Sequence, residues 1–193
     1  LAQQRADGWV ADAAEIHVAG YPNRFDTRLE DLHLADPSSD WAWSAPWFQI
    51  LALSYTPNHV IAIWPPTQTF AGPGERVSLD SRRMRGSVRF APNTSLALQQ
   101  TIIELEGLSF VSTEGWHAGL SQGQLSVRRA PSDTAPDYGY DVALSARTLR
   151  LPEPVKSALD PAGLLPDALA RLDLRATPVF DAQWDRVAIE EGP

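Results

Sequence analysis

Few groupings in this chain have the residue types and spacing for chemistry. Gly119-Leu120-Ser121-Gln122-Gly123 matches the spacing of a hydrolase nucleophile, in which a strand, a sharp turn and a helix raise the serine above a sheet. After Gly123 comes Gln124-Leu125-Ser126-Val127-Arg128, an alternating strand, so a glycine-bounded hairpin turn accounts for the match more simply. His17, His33, His59 and His117 stand at no ligand spacing. His17 and His33 could face each other across a hairpin near Glu15 or Asp31, yet zinc needs three or four convergent donors. Ala71-Gly72-Pro73-Gly74-Glu75-Arg76 lacks the lysine and hydroxyl of a phosphate loop and leads into a strand. The absence of cysteine removes disulfides, thiolate catalysis and thiolate-bound metals together. No catalytic residue, metal or cofactor is expected.

Two groupings bear on binding instead. Arg82-Arg83-Met84-Arg85, with Arg76 and Arg89 nearby, could meet headgroup phosphates or an acidic partner. A charged outer face or a protected edge strand is the simpler account. The aromatic set is Trp41, Trp43, Trp47, Phe48, Tyr55 and Trp64. Core packing explains such residues in general. A groove wall or partner surface is the alternative, because three tryptophans crowd seven residues and exposed apolar patches mark interaction sites. Trp47, Phe48, Tyr55 and Trp64 are the expected wall, with Arg24 placed to stack on a ring.

These aromatics sit on the stretch that organises the chain. Trp47–Tyr55 and His59–Trp64 read as two strands joined by a turn at Tyr55-Thr56-Pro57-Asn58. Both are almost continuously apolar, so both faces should be covered by chain, ligand or partner. Before them, Leu1–Ala14 reads as a helix, and Glu15–Val18 and Phe25–Leu34 as a hairpin with one slip of alternation near Asp31. After them come short alternating segments: Arg76–Asp80, Met84–Phe90, Leu96–Leu105, Leu108–Ser112, Trp116–Leu120, Gln124–Arg129, Tyr138–Ala146 and Leu149–Leu151. Two short helices over 153–172, the second capped by Asp160 before Pro161, would plug one end of the sheet. Strands at Leu172–Phe180 and Asp185–Ile189 follow.

The sum is a mainly β fold: one domain over 1–193, a curved antiparallel β-meander forming an open groove or a partly closed barrel. Net charge -8 disfavours nucleic acid or an anionic membrane as the main partner. The chain starts at Leu1 and ends at Pro193 without a terminal element, so it is expected to be truncated at both ends, with an N-terminal signal or anchor removed.

Gly20–Thr27 (GYPNRFDT), Trp43–Ile50 (WSAPWFQI), Ala52–Ala62 (ALSYTPNHVIA), Leu159–Gly163 (LDPAG) and Phe180–Arg186 (FDAQWDR) resemble a bacterial envelope family, domain of unknown function 2125. That resemblance implies a soluble periplasmic part behind a signal or a single inner-membrane anchor, and supplies no catalytic residues. The meander texture is also similar to AsmA-like proteins, whose curved sheets form apolar grooves for lipids. The expectation is a non-enzymatic periplasmic protein that binds a lipid or other apolar ligand. The alternative is a scaffold subunit docking on a membrane-protein complex through its aromatic face.

Overall fold

The computed structural model describes residues 10–131, 138–182, 184 and 185. Among them, twelve strands form one antiparallel sheet. They are β1 (Val10–Asp12), β2 (Glu15–Ala19), β3 (Arg24–Asp36), β4 (Trp41–Leu53), β5 (Thr56–Trp64) and β6 (Thr67–Gly72). After these come β7 (Glu75–Asp80), β8 (Arg83–Phe90), β9 (Leu98–Ser112), β10 (His117–Arg129), β11 (Tyr140–Leu149), helix α1 (Glu153–Leu159) and β12 (Leu169–Ala176).

Apart from one hairpin, the order is that of a meander. β1 and β2 lie end to end along β3, and the sheet continues β4, β5, β8, β9, β10, β11, β12. The hairpin β6–β7 leaves this path: β6 pairs with the first part of β4 and β7 with the last part of β9. Two arms thus bridge the same two long strands, β5–β8 at one end and β6–β7 at the other. The pairings close a ring of six strands around a fork in the sheet.

A single transverse crease passes through this fork and across the whole sheet. In β3 and β4 the ladder goes from Glu30↔Trp47 to Leu32↔Ala45, skipping Asp31 and Pro46. Between β9 and β10 it skips Gly107 and Ser121. Between β11 and β12 it skips Thr148 and Ala170. Asp31, Gly107 and Thr148 all take positive φ, 47°, 62° and 49°. Pro46 has no N–H to give, which suits a gap in the ladder. The linkers Pro65-Pro66 and Ser81-Arg82 lie on the same line, joined where the Ser81 amide donates to the Pro66 carbonyl at 2.7 Å.

The crease accounts for the broken alternation in the sequence. Apolar positions run Phe25, Leu29 and then Leu32, Leu34 in β3, and Ile103, Leu105 and then Leu108, Phe110 in β9. A strand that kept strict period two would turn half of these to the opposite face. Slipping by one residue at a shared line keeps them all on one face. The sheet also bends there. Trp43 and Phe48, five residues apart on β4, have ring centroids 5.8 Å apart, whereas an extended strand would carry their backbones about 17 Å apart. The bend closes toward the apolar face. On the fork side of it the core packs: Leu29, Leu32, Trp43 and Ala45 are buried, with Trp41, Phe48, Trp64 and Phe70 against them.

Several expectations need correction. The helix over Leu1–Ala14 falls mostly outside the described residues, and where described, Val10–Asp12 is a strand. The central reversal is at Ser54-Tyr55. Pro57 and Asn58 belong to a bulge at the start of β5, where Asn58 Nδ2 donates to the Phe90 carbonyl at 2.8 Å. Segments read as pairs, Leu96–Leu105 with Leu108–Ser112 and Trp116–Leu120 with Gln124–Arg129, are single long strands that cross the crease at Gly107 and Ser121. Only one helix forms near 153–172; it buries no residue and plugs nothing, and Asp160 sits at its C-terminal end. The last strand among the described residues is Leu169–Ala176, and of Asp185–Ile189 only Asp185 is described. β8 lies between β5 and β9, so its arginines protect no edge.

Candidate functional site

The cross-strand register divides the side chains of the β5–β8 half into two faces, since directly opposed residues share a face and successive residues alternate. One face, here the inner face, is apolar. Its middle row runs Ile50, Ala62, Gly86, Ile103, Leu125, Leu144 and ends at Leu174 on β12. A row on each side, beginning at Phe48 and Ala52 on β4, repeats the pattern, and Ile16 and Val18 of β2 extend it. Across β3 to β12 the only polar side chains in these rows are the hydroxyls of Thr27 and Thr101. Eight strands at about 4.8 Å make this face about 34 Å wide.

The described chain does not cover it. Ile50, Ala62, Ile103, Leu125 and Leu144 are all half-buried, and Leu174 is 50% exposed. In a two-layer fold such central positions would be buried. Among the described residues, cover exists only at the two ends. At the fork end, Phe48 and Trp64 stand 5.3 Å apart between centroids and join Trp43, Phe70 and Trp41 in a chain of ring contacts. At the far end, residues 178–182, 184 and 185 return across the inner face. Phe180 donates its amide to the Tyr138 carbonyl, and the Trp184 carbonyl accepts the Leu98 amide. Under this strap Tyr140 is 2% exposed, with Phe180 5.9 Å from it and Trp184 5.2 Å from Phe180. Burial pushes the Tyr140 phenol above its ordinary pKa.

The outer face is polar and laced with ion pairs. Arg82 and Arg83 share Glu106, at 3.3 and 3.0 Å. Arg85 pairs with Glu104, Arg128 with Asp141, and Arg171 with Asp173. This face turns apolar under the central hairpin, at Leu51, Ile61 and Ile63, and again at Ile102 on β9.

The expected wall residues separate on this frame. Phe48 and Trp64 line the inner face. Trp47, next to Phe48, must point the other way, and its ring lies under the Arg28 guanidinium at 4.4 Å. Tyr55 is 73% exposed at the hairpin tip. Trp41 is half-buried and Trp43 buried, its Nε1 donating to Gln68 Oε1 at 3.0 Å. Arg24 stacks on no ring among the described residues; it pairs with Asp26 at 2.8 Å. The residues missed were Gly86, Ile103, Leu125 and Leu144. Each sat in a visible alternating segment, but nothing local shows that four segments share one surface.

The other motifs resolve simply. Ser121 lies within β10 at the crease, its Oγ donating to the Arg147 carbonyl at 3.1 Å; no helix follows it, so the elbow geometry is not made. His17 pairs with Glu15 at 3.2 Å and lies opposite Arg28, while His33 lies opposite Asp12 and Ser44. Among the described residues no group of three metal-donor side chains converges. No described helix is long and apolar enough to cross a membrane.

A model of the family described as uncharacterized protein conserved in bacteria (DUF2125) matches residues 1–192. No curated protein matches the chain, and no solved structure does.

Proposed function

The chain belongs to the bacterial family DUF2125, and from that premise we propose that it is a non-enzymatic protein of the bacterial periplasm whose inner sheet face holds the acyl part of a lipid. The observation that carries this reading is the middle row from Ile50 to Leu144, which the other described residues leave uncovered. An occupant there meets two hydroxyls and otherwise only hydrocarbon, so its own polar groups would go unpaired. An acyl chain has none. One leaflet's chains span about half of the ~30 Å hydrocarbon core, well within the width of this face. Each methylene withdrawn from water contributes about 0.8 kcal/mol before ordering costs. The envelope location, which rests on the sequence resemblance, and the likeness to AsmA-like grooves, which rests on the meander texture, both belong to this proposal.

The test is native mass spectrometry of protein purified from its own envelope fraction, followed by lipid extraction. A stoichiometric lipid adduct is expected, and it should disappear in Leu125→Asp at unchanged circular dichroism. An empty wild-type protein, or an adduct indifferent to Leu125→Asp, would overturn the reading.

A docking subunit for a membrane-protein complex is the second reading. Tyr55 at the exposed hairpin tip and the outer apolar residues Leu51, Ile61 and Ile63 favour it. An empty mass that co-purifies with one protein in fixed ratio would support it.

A further inference from the structure

The acidic total of the chain conceals an uneven distribution of charge. On the outer face of β8 to β12, five guanidinium groups answer four carboxylates, because Arg82 and Arg83 share Glu106. Arg89, Arg147 and Arg175 stand on the same face, opposite His59, Gln122 and Ala143, and none pairs with a carboxylate within 4 Å among the described residues. This flank therefore carries a formal excess of four positive charges on a chain of net charge -8. The outer face of β2 to β5 has Glu15, Asp26 and Glu30 against Arg24 and Arg28, a slight negative excess.

We propose that the outer face of β8 to β12 docks on the headgroup surface of an anionic bilayer. The surplus is entirely arginine, whose planar fork matches phosphate oxygens two at a time. Arg89 on β8 and Arg175 on β12 are four strand spacings apart, about 19 Å, on one rigid sheet. That spread suits a plane of many phosphates better than one anion. A protein partner would need apolar anchors at its centre. Between these arginines the face offers Gln124, Ser126, Ser145 and Ala143, with Ile102 its one large apolar side chain. The docking face is the opposite of the lipid-holding one, and the two readings stand independently.

The experiment is co-sedimentation with phosphatidylcholine vesicles with and without phosphatidylglycerol, at low and high salt. Wild-type protein should bind the phosphatidylglycerol vesicles and release them as salt rises past the point where the screening length falls below about 10 Å. Arg89→Gln, Arg147→Gln and Arg175→Gln should each weaken binding about fivefold, and the triple variant about 100-fold. Arg24→Gln with Arg28→Gln should bind as wild type does. Leu125→Asp, which empties the inner face, should also dock normally. Equal binding to both vesicle types, a triple variant that binds like wild type, or retention on an acidic polypeptide but not on phosphatidylglycerol would overturn the proposal.

Discussion

The Trp64 indole packs against Gly86. A Cβ built on Gly86 would sit 3.2 Å from two atoms of the Trp64 ring. The glycine is thus what lets a large aromatic cross the neighbouring strand and begin the apolar face.

Gly86→Ala tests that contact by its sign. Glycine inside a strand is normally a weakness, and replacing it should help by roughly 0.5–1 kcal/mol. Here the indole must lift, and overpacking should turn the gain into a loss of about 1 kcal/mol. Urea denaturation should show a lowered midpoint in the wild-type background and a raised one in Trp64→Leu. A raised midpoint with Trp64 intact would mean that the ring lies elsewhere.

Neighbours in sequence, Trp47 and Phe48 should behave as strangers. Phe48 touches Trp43 and Trp64, so Phe48→Ala should cost about 2–3 kcal/mol and weaken lipid retention. Trp47 meets Arg28 on the outer face, and Trp47→Ala should cost about 1 kcal/mol or less while leaving retention unchanged. Thermal denaturation together with the native mass spectrum reads both effects. Equal retention loss in the two variants would contradict the division of faces.

Removing a donor at the fork should be costly. Gln68 is buried, its Oε1 taking the Trp43 Nε1 proton while its Nε2 faces the Met84 sulfur. Trp43→Phe leaves that amide oxygen without a partner, at a cost of about 1–3 kcal/mol. Gln68→Met in the same background removes the stranded group and should return part of the loss. A double-mutant cycle by chemical denaturation measures the coupling, and additive losses would show that the bond contributes nothing.

The strap gives a pH signature. Burial raises the Tyr140 phenol above 10.0. A raised folded pKa means that this contribution is complete below the unfolded value near 10 and is lost as pH climbs through the folded one. Spectrophotometric titration should therefore show one of the four tyrosines ionising late. In Phe180→Ala that step should move down toward the ordinary range, with stability changing least at alkaline pH. A titration unaltered by Phe180→Ala would show that the strap does not bury the ring.

Much of the fold is legible in the sequence because alternation is local. Segments such as Met84–Phe90 and Gln124–Arg129 announce strands, and the glycine and proline between them announce reversals. What is not legible is where a strand continues. Gly107 and Ser121 look like turn residues, yet both are passed in extended strands, because the partner strands slip at the same line. Likewise Pro57-Asn58 has the chemistry of a turn, but Asn58 is committed to the Phe90 carbonyl. The aromatic set was visible as a cluster but not as two surfaces. One residue of register decides whether Trp47 or Phe48 faces the ligand, and register is a property of strand pairs.

The crease also fixes what this fold can tolerate in length. Each strand is measured outward from that line, so two residues can be gained or lost at a strand's far end and its facing is preserved. One residue at the line itself is a different matter. Deleting Asp31 would keep Leu29, Leu32 and Leu34 in strict alternation on one face, yet it would throw β3 one residue out of step with β4 beyond the line, setting Leu32 against Pro46 and Leu34 against Ser44.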